Sequence, residues 1–313
     1  MTNIAFGTLG LQVSPIGLGT MPLAIQGRPS PERAAELIVR ALDGGINWFD
    51  TADSYCLGEA DVGYGERLLA ETLRKAGSPK VMVTTKAGWI RPNSEWVIDG
   101  RPERLKAACE ASLRALGVDS IFLYQLHAPD PKVPFSDSVG ALADLQRAGK
   151  IRHLGLSNVD LGHIHEAQRE TAVRLVQNRC NIFDQFSFVN GVIDYCRARK
   201  IPFVAHSPIG GHKGHVRALE SPSIRRVAER RGLSAKEVCL LWLLSQDGIF
   251  PIPGATRLES LASNLRILNE TLTPADLSEL DAGHPRAKLL RPMLVRARNN
   301  LRWLGRSLRR SLT

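Results

Sequence analysis

INWFDTADSY occupies residues 46–55. The run from Ile46 to Phe49 is largely apolar, stops at Asp50, and has a tyrosine five residues further on. A short strand that does not alternate strictly with polar residues is expected to be covered on both faces, which is the condition of a parallel sheet. Outward along the chain the same pattern returns: VSPIGLGT (13–20), VMVTTKAG (81–88), SIFLYQLH (120–127), IRHLGLSN (151–158), VRLVQNRCN (173–181), IPFVAHSP (201–208) and IFPIPGAT (249–256). With INWFDTA (46–52), that makes eight strand candidates.

Segments of helical period separate these runs. Ser30-Pro31 and Ser221-Pro222 pair a capping hydroxyl with a proline at the first helical position. Gly44, Gly77, Gly117, Gly149 and Gly232 stand where helices should end on a left-handed residue. The expected class is therefore α/β: a (β/α)8 TIM barrel with an N-terminal β-hairpin (IAFGTLGLQVS) and a C-terminal basic helical tail. No GxGxxG follows the first strand, which argues against an open dinucleotide-binding sheet. The expected division is a barrel domain over 1–282, closed by the TPADLSELDA helix after Thr273-Pro274, and a tail over 283–313.

At 313 residues and 43% hydrophobic content the chain can bury a large core. Its five cysteines are odd in number and form no CxxC, and the N-terminus lacks the basic-then-apolar pattern of a secretory signal. A reduced, cytoplasmic protein with neither disulfides nor a metal site is the expectation. The net charge of +10 suggests nucleic acid until it is located. Nine of the 41 basic side chains fall in 283–313, which holds no acid, so the body is nearly neutral and no nucleic-acid partner is expected. GGHKGH (210–215) carries two histidines, but a glycine-rich loop offers no rigid face for a metal.

In such barrels, functional groups sit at the C-terminal ends of the strands. There this chain places Asp50 and Tyr55, Lys86, His127, Ser157-Asn158, Gln177 and His206-Ser207. Each alone reads as a cap or a solvated rim residue; together they point to one site.

With those residues in view, the sequence resembles the aldo-keto reductase family from about residue 4 to 281. The resemblance rests on GLGTM (17–21), FDTADSY (49–55), TTKAG (84–88), LYQLH (123–127), GLSN (155–158), VQN (176–178), HSP (206–208) and IPGATR (252–257). It implies an NADPH-binding barrel, with NADH as second choice, and a catalytic tetrad of Asp50, Tyr55, Lys86 and His127. Tyr55 would be the general acid in carbonyl reduction. A nearby Lys86 should lower its pKa, Asp50 should partner the buried lysine, and His127 should orient the substrate oxygen. Cofactor contacts are expected from Gly19, Thr20, Met21, Asp50, Ser157, Asn158, Gln177, His206, Ser207, Pro208, Ile209 and Gly210. The start of the last helix adds Gly254, Thr256, Arg257, Ser260, Ser263 and Asn264; its N–H groups and guanidinium suit the adenosine 2′-phosphate. Tyr55, Trp89 and His127 are expected to touch a small-molecule carbonyl substrate, with Met21 and Ile25 bordering its pocket.

His206 departs from the family, which usually has an aromatic stacked on the nicotinamide there. Two readings stand side by side: cofactor binding is weaker or more pH-sensitive, since imidazole offers less area and can charge near neutral pH, or the flat imidazole simply substitutes for the aromatic. Cys56 is read as a small filler. In the tail, Leu290, Leu294, Ala297, Leu301, Leu304 and Leu308 form one helical stripe among arginines. Residues 286–312 could lie peripherally on an anionic membrane, bind an acidic partner, or pack on the barrel. Two other functions share the fold: a cofactor-sensing regulatory subunit, or a biosynthetic enzyme using bound NADP(H) for alcohol oxidation, epimerisation or dehydration of a sugar-like or natural-product substrate.

Overall fold

The computed structural model describes residues 2–77, 79–211 and 214–286. A small antiparallel hairpin, β1 (Ile4–Ala5) and β2 (Gln12–Val13), comes first. Eight parallel strands follow: β3 (Leu18–Gly19), β4 (Trp48–Asp50), β5 (Met82–Ala87), β8 (Ile121–Leu126), β9 (Ile151–Ser157), β10 (Val173–Arg179), β11 (Phe203–His206) and β12 (Ile249–Pro251). They pair in sequence order, interrupted only by a second hairpin, β6 (Trp89–Ile90) with β7 (Val97–Ile98), that rises after β5. The tail residues 287–313, and with them the amphipathic stripe, lie outside the described residues.

The sheet closes on itself. Gly17 N–H donates to the Pro251 carbonyl at 3.0 Å and Gly19 N–H to that of Pro253 at 3.2 Å. Neither proline can donate back, so this seam is bonded in one direction. A Cβ on Gly19 would lie 2.8 Å from the Ile252 carbonyl oxygen, so the close approach needs glycine. The first strand is shorter than the expected 13–20. Val13 belongs to the floor hairpin, and Pro15 removes a donor between the two pieces.

Helices return between strands: α1 (Pro31–Asp43), α2 (Tyr64–Lys75), α3 (Pro102–Leu116), α4 (Phe135–Arg147) and α5 (Leu161–Glu170). They continue as α6 (Phe186–Val189), α7 (Val192–Ala198), α8 (Gly214–Glu220), α9 (Pro222–Arg231), α10 (Ala235–Leu244), α11 (Leu258–Arg266) and α12 (Pro274–Gly283). Ser30 and Ser221 cap α1 and α9 by accepting from Arg33 N–H and Ile224 N–H. Gly117 and Gly232 end α3 and α9 at φ +67° and +62°. Gly44 departs from expectation with φ −76°; Gly45, at φ +88°, makes the left-handed turn instead.

Side chains alternate along each strand, and this sorts the barrel interior into layers. At the floor lie Trp48, Met82, Leu123, Leu175, Val204 and Phe250, plugged by Phe6 of the hairpin region, whose ring sits 4.6 Å from Phe250. Two residues further along the same strands come Asp50, Thr84, Gln125, Gln177 and His206. Lys86 and His127 stand at the mouth. The same period that fills the floor with apolar groups lifts the polar ones to the open end.

Candidate active site

Asp50, 1% exposed, is the hub of the polar layer. Its Oδ1 accepts from Lys86 Nζ at 2.5 Å. Its Oδ2 accepts from Thr84 Oγ1 at 2.7 Å, Gln177 Nε2 at 2.8 Å and Gln125 Nε2 at 3.2 Å. Four donors converge on an acceptor-only group, the arrangement a buried carboxylate requires. Lys86 has no solvent exposure; it also donates to the Thr51 carbonyl at 2.7 Å and to Tyr55 Oη at 3.2 Å. Burial pulls its pKa down, but the Asp50 carboxylate and Tyr55 outweigh that and the net direction is up. The ammonium therefore stays charged beneath the phenol.

Tyr55 behaves differently from the sequence expectation. Burial raises its pKa, and the pull of Lys86, which acts downward, does not overcome it. The net shift is upward, so the phenol holds its proton at neutral pH. The reason is the burial of the Tyr55 side chain, 7% exposed, which penalises phenolate more than one ammonium already shared with Asp50 favours it. The loop is held by backbone bonds. Asp53 N–H donates to the Lys86 carbonyl at 3.1 Å, Gly63 N–H to that of Asp53 at 2.8 Å, and Gly65 N–H to that of Tyr55 at 3.1 Å.

His127 directly follows the fourth barrel strand, β8, with its ring edge-on to Tyr55, centroids 5.7 Å apart, and to Trp89 at 6.3 Å. Burial first, then the Lys86 charge, hold its pKa well below the usual range. It is a neutral imidazole, and its Nδ1 has no hydrogen-bond partner among the described residues.

The expected cofactor residues collect around the same mouth. Thr20 Oγ1 donates to the Asp50 carbonyl at 3.0 Å, and Met21 beside it is exposed. Ser157 ends β9, and Asn158 follows at φ +60°, a conformation asparagine tolerates. Asn158 Nδ2 donates to the His127 carbonyl at 2.9 Å and to Ser157 Oγ at 3.1 Å, leaving its Oδ1 to face His206 Nε2 at 3.1 Å. That assigns His206 the Nε2–H tautomer, with Nδ1 accepting from Ser207 Oγ at 3.1 Å. Burial, then Lys86, push His206 down to about 4. That direction favours a neutral imidazole across pH 6–8 and the reading in which the ring simply substitutes for an aromatic. Ser207 is left-handed (φ +52°) ahead of Pro208, Ile209 and Gly210, whose carbonyl accepts from Arg179 Nη2 at 3.0 Å.

After the last strand, Arg257 stands at the N-cap of α11 and supplies no side-chain cap, so the first-turn N–H groups lack an acceptor from it. Arg257 is exposed and forms no ion pair among the described residues. Gly254 and Thr256 precede it, and Ser260 and Ser263 follow on the helix. Asn264 instead braces the turn, its Nδ2 3.5 Å from the Gly254 carbonyl.

Sequence reasoning passed over several participants. Thr84 and Gln125 lie two residues before Lys86 and His127, so strand alternation alone could have found them. Glu66 and Asp53, just outside the barrel wall, carried no signal. Thr85 Oγ1 donates to Glu66 at 2.6 Å, and Arg104 lies 3.6 Å from Asp53. Burial, then the Glu66 charge, raise Asp53 to about 8; burial raises Glu66 to about 7. Burial likewise pushes the Cys56 thiol up to about 11, as suits a filler rather than a nucleophile.

A barrel with a buried carboxylate, ammonium and phenol in line at its mouth defines an oxidoreductase-type site on a (β/α)8 scaffold. The family model of the aldo/keto reductase family matches residues 15–284, and the chain belongs to that family. Among solved structures, it is similar to an aldo/keto reductase from Klebsiella pneumoniae in complex with NADP and acetate: 26% identity, TM-score 0.73, covering 92% of this chain and 97% of that one. The thermostable aldo-keto reductase Tm1743, in complex with the inhibitor epalrestat, matches at 25% identity and TM-score 0.76, covering 90% and 100%. A glycerol dehydrogenase from Gluconobacter oxydans shares the fold at 24% identity and TM-score 0.77, covering 91% and 96%. No helix among the described residues is long and apolar enough to cross a membrane.

Proposed function

We propose that this chain is an NADPH-dependent reductase of aldehydes or ketones, with Tyr55 as general acid. The observation that carries the reading is Lys86: a fully buried ammonium bonded at once to Asp50 and to Tyr55 Oη. Such a cation is costly to bury for stability alone, and here its third contact is the one group that can protonate an oxygen.

The residues fit a phosphorylated dinucleotide. The uncapped start of α11 and the exposed Arg257 suit a phosphate, and the NADP complex of the Klebsiella relative supports NADPH over NADH. Ser157, Asn158, Gln177 and the flat, neutral ring of His206 suit the nicotinamide end. When bound, the nicotinamide supplies the hydride. The chain does the rest. His127, neutral, can donate to the carbonyl oxygen and orient it, and Tyr55 Oη passes its proton to that oxygen as charge develops there. Lys86 stabilises the phenolate left behind, and Asp50 keeps Lys86 in place. Trp89, edge-on to His127, walls the substrate.

The test is a panel of aldehydes and ketones followed by NADPH absorbance, with Tyr55→Phe as control. Loss of general-acid catalysis is expected to lower kcat by about 10²–10⁴ while NADPH affinity stays within about twofold. A parent protein that consumes no NADPH with any member, or a Tyr55→Phe variant of full activity, refutes the proposal.

A further inference from the structure

Arg91 follows Lys86 by five residues and is buried, 5% exposed, between two loops. Nη1 donates to the Cys56 carbonyl at 2.7 Å and Nη2 to the Leu57 carbonyl at 3.2 Å. Toward the other loop, Nη2 donates to the Ser94 carbonyl at 2.7 Å and Nε to the Glu95 carbonyl at 3.2 Å. Its guanidinium lies 4.0 Å from the centroid of the Trp96 ring. A planar fork of donors can join four main-chain carbonyls across two loops in this way; the single ammonium of lysine cannot.

The two loops do different work. Cys56 and Leu57 directly follow Tyr55. Ser94 and Glu95 belong to the turn between β6 and β7, the hairpin that carries Trp89 and Trp96. In that turn Asn93 and Ser94 are consecutive non-glycine residues at φ +49° and +65°. Left-handed backbone of this kind persists only where its surroundings over-determine it, and Arg91 bonds both carbonyls at its exit. On the facing loop Gly58 keeps the contact close: a Cβ there would stand 3.0 Å from Ser94 Oγ. From the phenol outward, rings run edge-on from Tyr55 to His127 (5.7 Å), to Trp89 (6.3 Å) and to Trp96 (6.1 Å), whose indole is 42% exposed.

We propose that Arg91 is a positioning residue that ties the Tyr55 loop to this hairpin, fixing the distance between the proton donor and the aromatic wall. The proposal rests on the reading of Tyr55 as general acid. Flat carbonyl compounds wide enough to reach Trp89 and Trp96 depend on both ends of the clamp, whereas a small aliphatic aldehyde depends only on the Tyr55 end.

The experiment compares the parent with Arg91→Ala, Arg91→Lys and Gly58→Ala, using an aryl and a short aliphatic aldehyde. Arg91→Ala is expected to lose about ten- to a hundredfold in kcat for both substrates, the scale of a displacement of about an ångström. KM rises only for the aryl one, and NADPH affinity, read by nucleotide fluorescence, stays within about twofold. Millimolar guanidinium, but not urea, restores activity to Arg91→Ala, and Arg91→Lys does not rescue. Gly58→Ala, whose backbone is extended and unstrained, should fold regardless and shift kcat in the same direction by a smaller factor. Hydrogen exchange over residues 52–66 should quicken in Arg91→Ala and slow again with guanidinium. Unchanged exchange there, or equal loss of NADPH affinity and turnover, overturns the clamp. If the parent is inactive on the whole panel, the Tyr55 reading fails, and the exchange measurement still decides whether Arg91 joins the loops.

Discussion

Replacing Asp50 by Asn tests the core of the site. The carboxylate accepts from Lys86, Thr84, Gln177 and Gln125, and both it and Lys86 are essentially without solvent exposure. An asparagine at that position turns one acceptor atom into a donor that faces donors, and it leaves the ammonium without its counter-charge. Removing one partner of a buried ion pair costs about 3–5 kcal/mol. At roughly 1.5–2 °C per kcal/mol for a domain of this size, Tm should fall by about 5–10 °C. Adding Lys86→Met removes the stranded charge, so the double variant should recover most of that loss while remaining inactive. Thermal unfolding at pH 7 of the parent, both single variants and the double variant completes the cycle. An Asp50→Asn protein within about 2 °C of the parent, on that same scale, would refute the reasoning; so would a double variant no more stable than Asp50→Asn alone.

The buried acid pair makes stability depend on pH. With Asp53 raised to about 8 and Glu66 to about 7, the folded protein keeps protons that the unfolded chain has lost above its ordinary carboxylate range. Stability should therefore fall as pH rises from about 4 to about 8; in Asp53→Asn with Glu66→Gln the decline in Tm between pH 6 and pH 8 should be shallower, and parallel profiles would contradict the assignment. A Cβ on Gly155 would meet Gln125 Cγ at 2.8 Å, so Gly155→Ala should displace an Asp50 donor, cost about 1–3 kcal/mol by overpacking and lower kcat. Unchanged kcat would remove Gln125 from the working set. For His206→Tyr, the affinity ratio to the parent should stay constant from pH 6 to 8, because the imidazole is neutral throughout; a ratio that drifts with pH, measured by NADPH fluorescence titration, would show otherwise.

Much of the site was legible because strands impose a strict period of two. Asp50, Lys86, His127 and Gln177 all stand at or near the ends of apolar runs, and the barrel architecture then brings those ends to one rim. Thr84 and Gln125 obey the same rule and were missed only because they were read as strand interior. Arg91, Asp53 and Glu66 were not legible. Their partners are main-chain carbonyls and groups on neighbouring elements, which no local spacing encodes. The direction of the Tyr55 shift was misread for a related reason: the sequence displays neighbouring charges but not the depth of burial, and burial is the larger cause.

The chain by itself determined the eightfold alternation of strand and helix, the polar strand ends, the capping serines and the membership that these motifs suggested. Hydrophobic period, proline and glycine act over a few residues and need no distant partner. Tertiary structure alone decided how the barrel closes, with Gly17 and Gly19 donating to a seam of prolines that cannot answer. It also decided which groups stay protonated and which arginine holds the tyrosine loop. Those outcomes depend on solvent exclusion and on atoms dozens of residues apart, quantities that exist only once the chain has packed.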